Sequence, residues 1–193
     1  MNISAEFVTS AAGAEGFPRD RLPDVAMVGR SNVGKSSLIN ALVRQPLART
    51  SAAAGKTRLA NFFRVRRGTA PALYLVDLPG YGYARGGDAS TEEFNRLTDA
   101  YFARDAAVIL LVDSRHPGLE SDLEAWQWLA SRQGPRQVVG TKVDKLTRAE
   151  RMRHARAFDS SFDAPVLLVS AHTGEGLEEL WKMIASLPSR TAA

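Results

Sequence analysis

Cysteine is absent from the chain. That excludes a disulfide scaffold, a cysteine-ligated zinc site, an iron–sulfur cluster and a thiol nucleophile. Histidine is scarce: there are only three, His116, His154 and His172, and no two share a metal-ligand spacing on one helix. Long hydrophobic runs are also missing. The longest, Ala106–Val112, falls far short of the roughly 20 residues a membrane span needs. The opening MNISAEFVTSAAGAEG lacks a basic stretch followed by a continuous apolar one, so no secretory signal is legible. There is no internal repeat, and no G-x-S-x-G elbow of a serine hydrolase. The expectation is a cytoplasmic protein without membrane contact, monomeric, and built on something other than thiol or metal-cluster chemistry.

At 193 residues the chain suits one domain. We expect it over 21–187, with an N-terminal extension at 1–20 and a C-terminal tail at 188–193. The net charge of +4 is unevenly spread. Residues 1–87 hold 12 Lys+Arg against 5 Asp+Glu, and residues 88–193 hold 13 against 16. The basic half includes Arg44, Arg49, Lys56, Arg58, Arg64, Arg66 and Arg67. Such asymmetry marks either a polyanion-binding face or the solvated surface of an arginine-rich chain.

Short apolar runs alternate with helical patterns, as in βα units around a mostly parallel sheet. Val25–Val28, Leu73–Val76, Ala107–Val112, Val138–Val139 and Val166–Val169 read as strands buried on both faces. Asn61–Arg67 alternates Phe63 and Val65 with Arg64 and Arg66, which predicts a strand with one wet face at or near an edge. Lys35–Val43 reads as a helix. Leu119, Leu123, Trp126 and Ala130 recur at helical spacing, as do Leu177, Leu180, Trp181 and Ile184. Ser90-x-x-Glu93 and Thr147-x-x-Glu150 have the form of capping boxes. The unpatterned stretches 44–56 and 82–90 read as long loops, and the two termini as peripheral.

Gly29-Arg30-Ser31-Asn32-Val33-Gly34-Lys35-Ser36 fits the phosphate-loop pattern G-x-x-x-x-G-K-[ST] between a strand and a helix. Its glycines let the backbone curl into a nest of N–H donors at a helix N-terminus. Lys35 can then reach the β- and γ-phosphates, and the Ser36 hydroxyl can ligate Mg²⁺. A buried strand ends in Asp77-Leu78-Pro79-Gly80. Asp77 stands where such folds hold Mg²⁺ directly or through water, and Gly80 can offer its N–H to a γ-phosphate. The next strands end in Thr141-Lys142-Val143-Asp144 and in Ser170-Ala171. Ligands of doubly wound sheets lie outside the carboxyl ends of the strands, so four separated segments converge on one rim. Asp144 can accept from guanine N1–H and the 2-amino group, an arrangement adenine lacks. A P-loop kinase or ATPase, and a binding module with a vestigial nucleotide site, stay open as alternatives. T-K-V-D argues against the first, and intact Lys35, Ser36 and Asp77 against the second.

The order of phosphate loop, loop threonine, D-x-P-G, T-K-x-D and S-A resembles the signature set of translation-factor-type GTPases. The resemblance is closer still to EngB-type GTPases, bacterial proteins linked to large-ribosomal-subunit assembly and normal cell division. It is carried by GRSNVGKSSLINAL (29–42), GKTRLANFF (55–63), DLPGYGYA (77–84), VDSRHPGLESD (112–122) and TKVDKL (141–146), with FVTSA near the start. It implies a P-loop NTPase of the Ras-like G-domain type: a three-layer α/β fold with a six-stranded, mostly parallel sheet and one antiparallel edge strand. It implies that Gly29–Ser36 surround the phosphates of GTP or GDP, and that Ser36, Thr57 and Asp77 hold Mg²⁺. Gly55, Lys56, Thr57, Arg58 and Leu59 become the first switch, and Asp77–Gly80 the γ-phosphate sensor. Lys35, Thr57 and Gly80 carry the catalytic roles. Thr141–Asp144 read the base, and Val169, Ser170 and Ala171 bring a backbone contact to guanine O6. Thr141 stands where most GTPases have Asn and EngB-type proteins commonly have Thr. Tyr81 stands where many GTPases place a water-orienting Gln, which predicts slow intrinsic hydrolysis. Asn32 matches the position that binds K⁺ in related GTPases lacking that Gln. The implied partner is the pre-50S ribosomal particle or its rRNA, met through the basic half, and the implied role extends to septation.

Overall fold

The apolar runs become the centre of a single sheet. The computed structural model describes residues 2–49, 59–81, 88–104, 106–132 and 134–187. Among them run seven strands: β1 (Ile3–Ala11), β2 (Asp24–Gly29), β3 (Ala60–Arg67), β4 (Leu73–Asp77), β5 (Ala107–Asp113), β6 (Arg136–Thr141) and β7 (Val166–Leu168). Their order across the sheet is β1-β3-β4-β2-β5-β6-β7. From β4 to β7 every pairing is parallel, and β3 runs antiparallel to both its neighbours. Five helices connect them: α1 (Lys35–Val43), α2 (Asp88–Phe102), α3 (Glu120–Ala130), α4 (Arg148–Ser161) and α5 (Leu177–Ser186). No helix among the described residues is long and apolar enough to cross a membrane.

Strand β5 explains the layering. All seven of its residues are buried. Val108, Leu110 and Val112 join a cluster with Phe62, Tyr74, Tyr101, Trp126 and Phe158 on one face. Ala107, Ile109 and Leu111 join Leu38, Ile39, Leu42, Leu180, Trp181 and Ile184 on the other. The period-2 alternation of side chains thus feeds two apolar cores, with α1 and α5 covering one face and α2, α3 and α4 the other. The Trp181 Nε1–H donates to Leu42 O at 3.2 Å, tying α5 to α1.

Two expectations change in the first half of the chain. The sheet has seven strands where six are expected, because Ile3–Ala11 lies within it and is not a peripheral tail. Its residues pair with β3 from Ile3↔Arg67 to Ala11↔Ala60, with an irregularity between Phe7 and Thr9. The sequence ISAEFVTSA hides this, since an edge strand can pair through its backbone without an apolar run. The Arg-rich β3 is therefore one place in from the edge, near it as expected, and Arg64 and Arg66 keep its wet face. Finally, Ser90 falls within the bounds of α2, Asp88–Phe102, and not at the position before its first residue. The second capping box forms as expected: Thr147 N–H donates to Glu150 Oε2 at 2.8 Å, and Glu150 N–H donates to Thr147 Oγ1 at 3.3 Å.

Candidate nucleotide site

The carboxyl ends of the parallel strands deliver Gly29, Asp77, Asp113, Thr141 and the Val169–Ser170 segment to one rim. At its centre β2 runs out into the loop before α1. Asn32 adopts φ 64° and Gly34 φ 109°, the left-handed backbone that reverses the chain direction. Gly29 is fixed by crowding: a Cβ there would lie 2.6 Å from Leu111 O. The first turn of α1 has no side-chain cap and no acidic residue. Its leading N–H groups and the helix dipole are left for an anion. Lys35 Nζ donates to Gly29 O at 3.2 Å and Arg30 O at 3.3 Å, so the ammonium arches over the loop. Burial lowers its pKa, and the Asp77 carboxylate opposes that shift.

Asp77 is the buried acid of the site. Its Oδ2 accepts from the Ser36 hydroxyl at 2.8 Å, while Oδ1 is buried with no hydrogen-bond partner among the described residues. Desolvation pushes its pKa up, against the nearby Lys35 and the Ser36 hydrogen bond. An orphaned carboxylate oxygen beside a hydroxyl is the hard oxygen donor set that suits Mg²⁺ shared with phosphates. No group of three or more His, Asp or Glu residues forms a metal cage among the described residues. Gly80 packs on the phosphate loop so closely that a Cβ would sit 2.7 Å from Ser31 N and 3.0 Å from Lys35 Nζ. Leu78 and Pro79 are buried behind it. Gly55, Lys56, Thr57 and Arg58 lie outside the described residues. Leu59, exposed, immediately precedes β3.

The residue after Gly80 brings in a partner that motif reading misses. Tyr81 Oη donates to Asp122 Oδ1 at 2.8 Å, and Arg30 Nε pairs with the same oxygen at 3.2 Å. Asp122 is 1% exposed. Burial raises its pKa, partly countered by Tyr81 and Arg30. Burial and this carboxylate together push the Tyr81 phenol far up. The signal available in the sequence was only an acid in the first turn of α3.

On the other flank, Thr141 Oγ1 lies 2.7 Å from Val33 O and 3.1 Å from Val112 O, so its hydroxyl ties this segment to the phosphate loop. Lys142 turns through φ 62° and its Nζ donates to Asn32 O at 2.7 Å and Asp113 Oδ2 at 2.9 Å. Arg115 grips Asp113 with two further bonds of 2.9 and 2.7 Å. Burial alone would raise the Asp113 pKa, but the hydrogen bonds from Arg115 and Lys142 overcome it and hold the carboxyl well below its usual range. Asp113 and Arg115 were not picked out as site residues, although both lie within the quoted VDSRHPGLESD. Asp144 Oδ1 accepts from Ser170 Oγ at 2.7 Å, which lowers its pKa and keeps it ionised. Ser170 is itself held, accepting from His172 N–H at 3.1 Å and Thr173 N–H at 3.0 Å. Val143 N–H donates to Val169 O at 3.2 Å, locking the two segments together beside Ala171.

The arginines expected to face a polyanion on β3 are partly neutralised. Arg64 pairs with Glu6, and Arg67 pairs with Glu178 and lies over the Trp181 ring. Arg66 alone of the three is exposed without an ion pair among the described residues.

Residues 24–142 match the family described as "50S ribosome-binding GTPase". The chain is 44% identical over 187 residues to the probable GTP-binding protein EngB of Chlorobaculum tepidum, covering 93% of this chain and 95% of that protein. It is 40% identical over 222 residues to the probable GTP-binding protein EngB of Symbiobacterium thermophilum, covering 95% of each. Its fold is similar to a point variant of Aquifex aeolicus Era bound to GDP·AlF4⁻, with a TM-score of 0.74 at 24% identity, over 87% of this chain and 57% of that one. The chain thus spans somewhat over half the length of Era.

Proposed function

The chain belongs to the EngB group of the 50S ribosome-binding GTPase family, and on that premise we propose that this GTPase is a slow, Mg²⁺-dependent switch in assembly of the large ribosomal subunit, with normal division and septation depending on that role. It works in the cytoplasm as a monomer. Its G domain spans 21–187, completed by the strand from the first 20 residues.

Gly29–Ser36 wrap the phosphates, with the N–H groups of the loop and of the first turn of α1 as donors. Lys35 leaves its two carbonyl partners for the β- and γ-phosphates. Ser36, Thr57 and Asp77 would hold Mg²⁺, Asp77 either directly or through water, and the bound ion would offset the negative charge of the β- and γ-phosphates. Gly55–Leu59 and Asp77–Gly80 are the two switches, tethered through Thr57 and through the Gly80 N–H. Asp144 accepts from guanine, and Thr141, Lys142 and Val143 hold the loop that presents it. The backbone at Val169–Ala171 faces O6. Hydrolysis joins a water oxygen to the γ-phosphorus and breaks its bond to the bridging oxygen, giving GDP and phosphate. Tyr81 offers a single hydroxyl where a carboxamide would offer a donor and an acceptor, and the Asp122 carboxylate already engages it. Intrinsic turnover is therefore slow. K⁺ held near the exposed Asn32 side chain would supply the charge that an arginine finger gives, and equal hydrolysis rates in KCl and NaCl would contradict this.

The observation that carries the reading is the Ser170–Asp144 bond, which holds an ionised acceptor on the same rim as the phosphate loop. Co-sedimentation with purified large ribosomal particles tests the role. Binding should be strong with GTP and weak with GDP. Equal binding in both states, or none, would overturn the switch.

A further inference from the structure

Helix α4 carries charge that its own stability does not explain. Arg148 occupies its first position, where the helix dipole disfavours a cation. Arg153 and Arg156 lie three apart, a like-charge spacing that destabilises an isolated helix. Arg148, Arg153 and Arg156 are all exposed, and none forms an ion pair among the described residues. Met152 lies between them with 59% of its surface exposed.

The acids nearby do not neutralise the group. Glu150 is engaged by Thr147 in the capping box and feels Arg153 only at longer range. Glu175 is taken by Arg151 at 2.6 Å. Asp159, a turn beyond Arg156, forms no ion pair with it among the described residues. The inward side of α4 is occupied separately: Phe158 is buried, and His154 Nδ1 lies 2.8 Å from Ser114 O. The four outward residues fall within an arc of roughly 140°, and Arg148 to Arg156 spans about 12 Å along the axis.

Resting on the reading that the partner is a ribosomal particle, we propose that this outer face of α4 is where the chain grips an RNA phosphate backbone. Guanidinium forks match phosphate oxygens in bidentate fashion. A span of about 12 Å puts three such forks within reach of neighbouring phosphates of one strand, while Met152 offers an apolar contact to the sugar edge. The choice of RNA rests on charge: three unneutralised arginines complement a continuous line of phosphates. The face also adjoins the nucleotide site, since Thr147 caps α4 just after the turn that carries Asp144. The basic excess of the first half of the sequence does not single out this face. It lies in the half with more acids than bases.

The test compares wild type with an Arg148→Glu/Arg153→Glu/Arg156→Glu variant and the matching triple Gln variant. Binding to a mixed-sequence RNA duplex and to purified large ribosomal particles is followed over salt from about 50 to about 200 mM. The Glu variant should lose at least roughly tenfold in affinity for both, with a salt slope shallower by about 2 to 3, one unit per lost phosphate contact. The Gln variant should show the same loss of slope. GDP affinity and melting temperature should match wild type, which separates lost contact from lost fold. Unchanged affinity and slope would overturn the proposal, as would a loss for the particles that leaves duplex binding and its slope intact. If wild type binds the duplex through these arginines but no ribosomal particle, the RNA face stands and the ribosomal reading falls.

Discussion

Tyr81 donates its phenolic proton to the buried Asp122 carboxylate at 2.8 Å, so the residue after the D-x-P-G motif is fastened to the start of α3. Arg30 of the phosphate loop meets the same oxygen. One carboxylate therefore joins the phosphate loop, the residue that follows Gly80 and a helix. Asp122→Ala should cost about 2 kcal/mol and Tyr81→Phe about 1 kcal/mol, because a buried hydrogen-bonded group loses its partner in each. The double variant should cost less than the sum, since both changes remove one bond. Denaturant titration of the four proteins gives the coupling, and strict additivity would show that the bond contributes nothing.

Ser170 is the hub of the corner proposed to read the base. It donates to Asp144 and accepts two backbone N–H groups. Ser170→Ala leaves all three without that partner. GDP affinity should fall roughly tenfold, equivalent to about 1.4 kcal/mol, with affinity for inorganic phosphate analogues unchanged. Isothermal titration reads this. An equal loss for both ligands would mean that the loop collapsed and that the loss is not one of base recognition.

Burial makes an ionised Asp77 carboxylate costly in the folded chain. Its raised pKa means that ionisation is less favourable in the folded chain than in the unfolded one. Between those two pKa values stability falls as pH rises, and the deficit persists at neutral pH. Asp77→Asn should therefore raise the melting temperature of the nucleotide-free protein at pH 7, while Mg²⁺ no longer tightens GTP binding. A lower melting temperature with intact Mg²⁺ dependence would contradict both halves.

Asp113 has the opposite sign. Its carboxyl is held below the usual range despite burial, by Arg115 and Lys142. The stability it contributes is complete above the unfolded value of about 4 and disappears as pH falls through the lower folded value. Asp113→Asn should be less stable than wild type by a constant margin above about pH 5, and the margin should shrink below about pH 4. Urea midpoints across that range measure it. A margin that stays constant to the lowest pH would remove Asp113 as the titrating group.

What the sequence made legible is what lies contiguous in it. The five apolar runs were found because strands covered on both faces need unbroken apolar residues; the last of them, β7, lies at the sheet's edge and is only half-buried, against the expectation. The phosphate loop, Asp77–Gly80 and Thr141–Asp144 were found because each is a short local pattern at a strand end. The rest depends on distant partners. Edge strand β1 takes its stability from β3 and has no apolar run of its own. Tyr81 finds Asp122 across 41 residues, and Thr141 finds Val33 across 108. Charge counting pointed to Arg64 and Arg67, yet Glu6 and Glu178 neutralise them. Ser90 and Thr147 carry the same box pattern, but only Thr147 stands at a helix start.

The central claim is that Asp144, held by Ser170, reads guanine on the rim that the phosphate loop shares. Titration of wild type and Asp144→Asn with guanosine and xanthosine diphosphates tests it most directly. Xanthine carries a carbonyl where guanine carries the 2-amino group, so exchanging an acceptor for an amide donor should exchange the preference. Wild type should bind the guanine nucleotide far more tightly, and the variant should prefer the xanthine nucleotide. A variant that still prefers guanine would contradict the assignment.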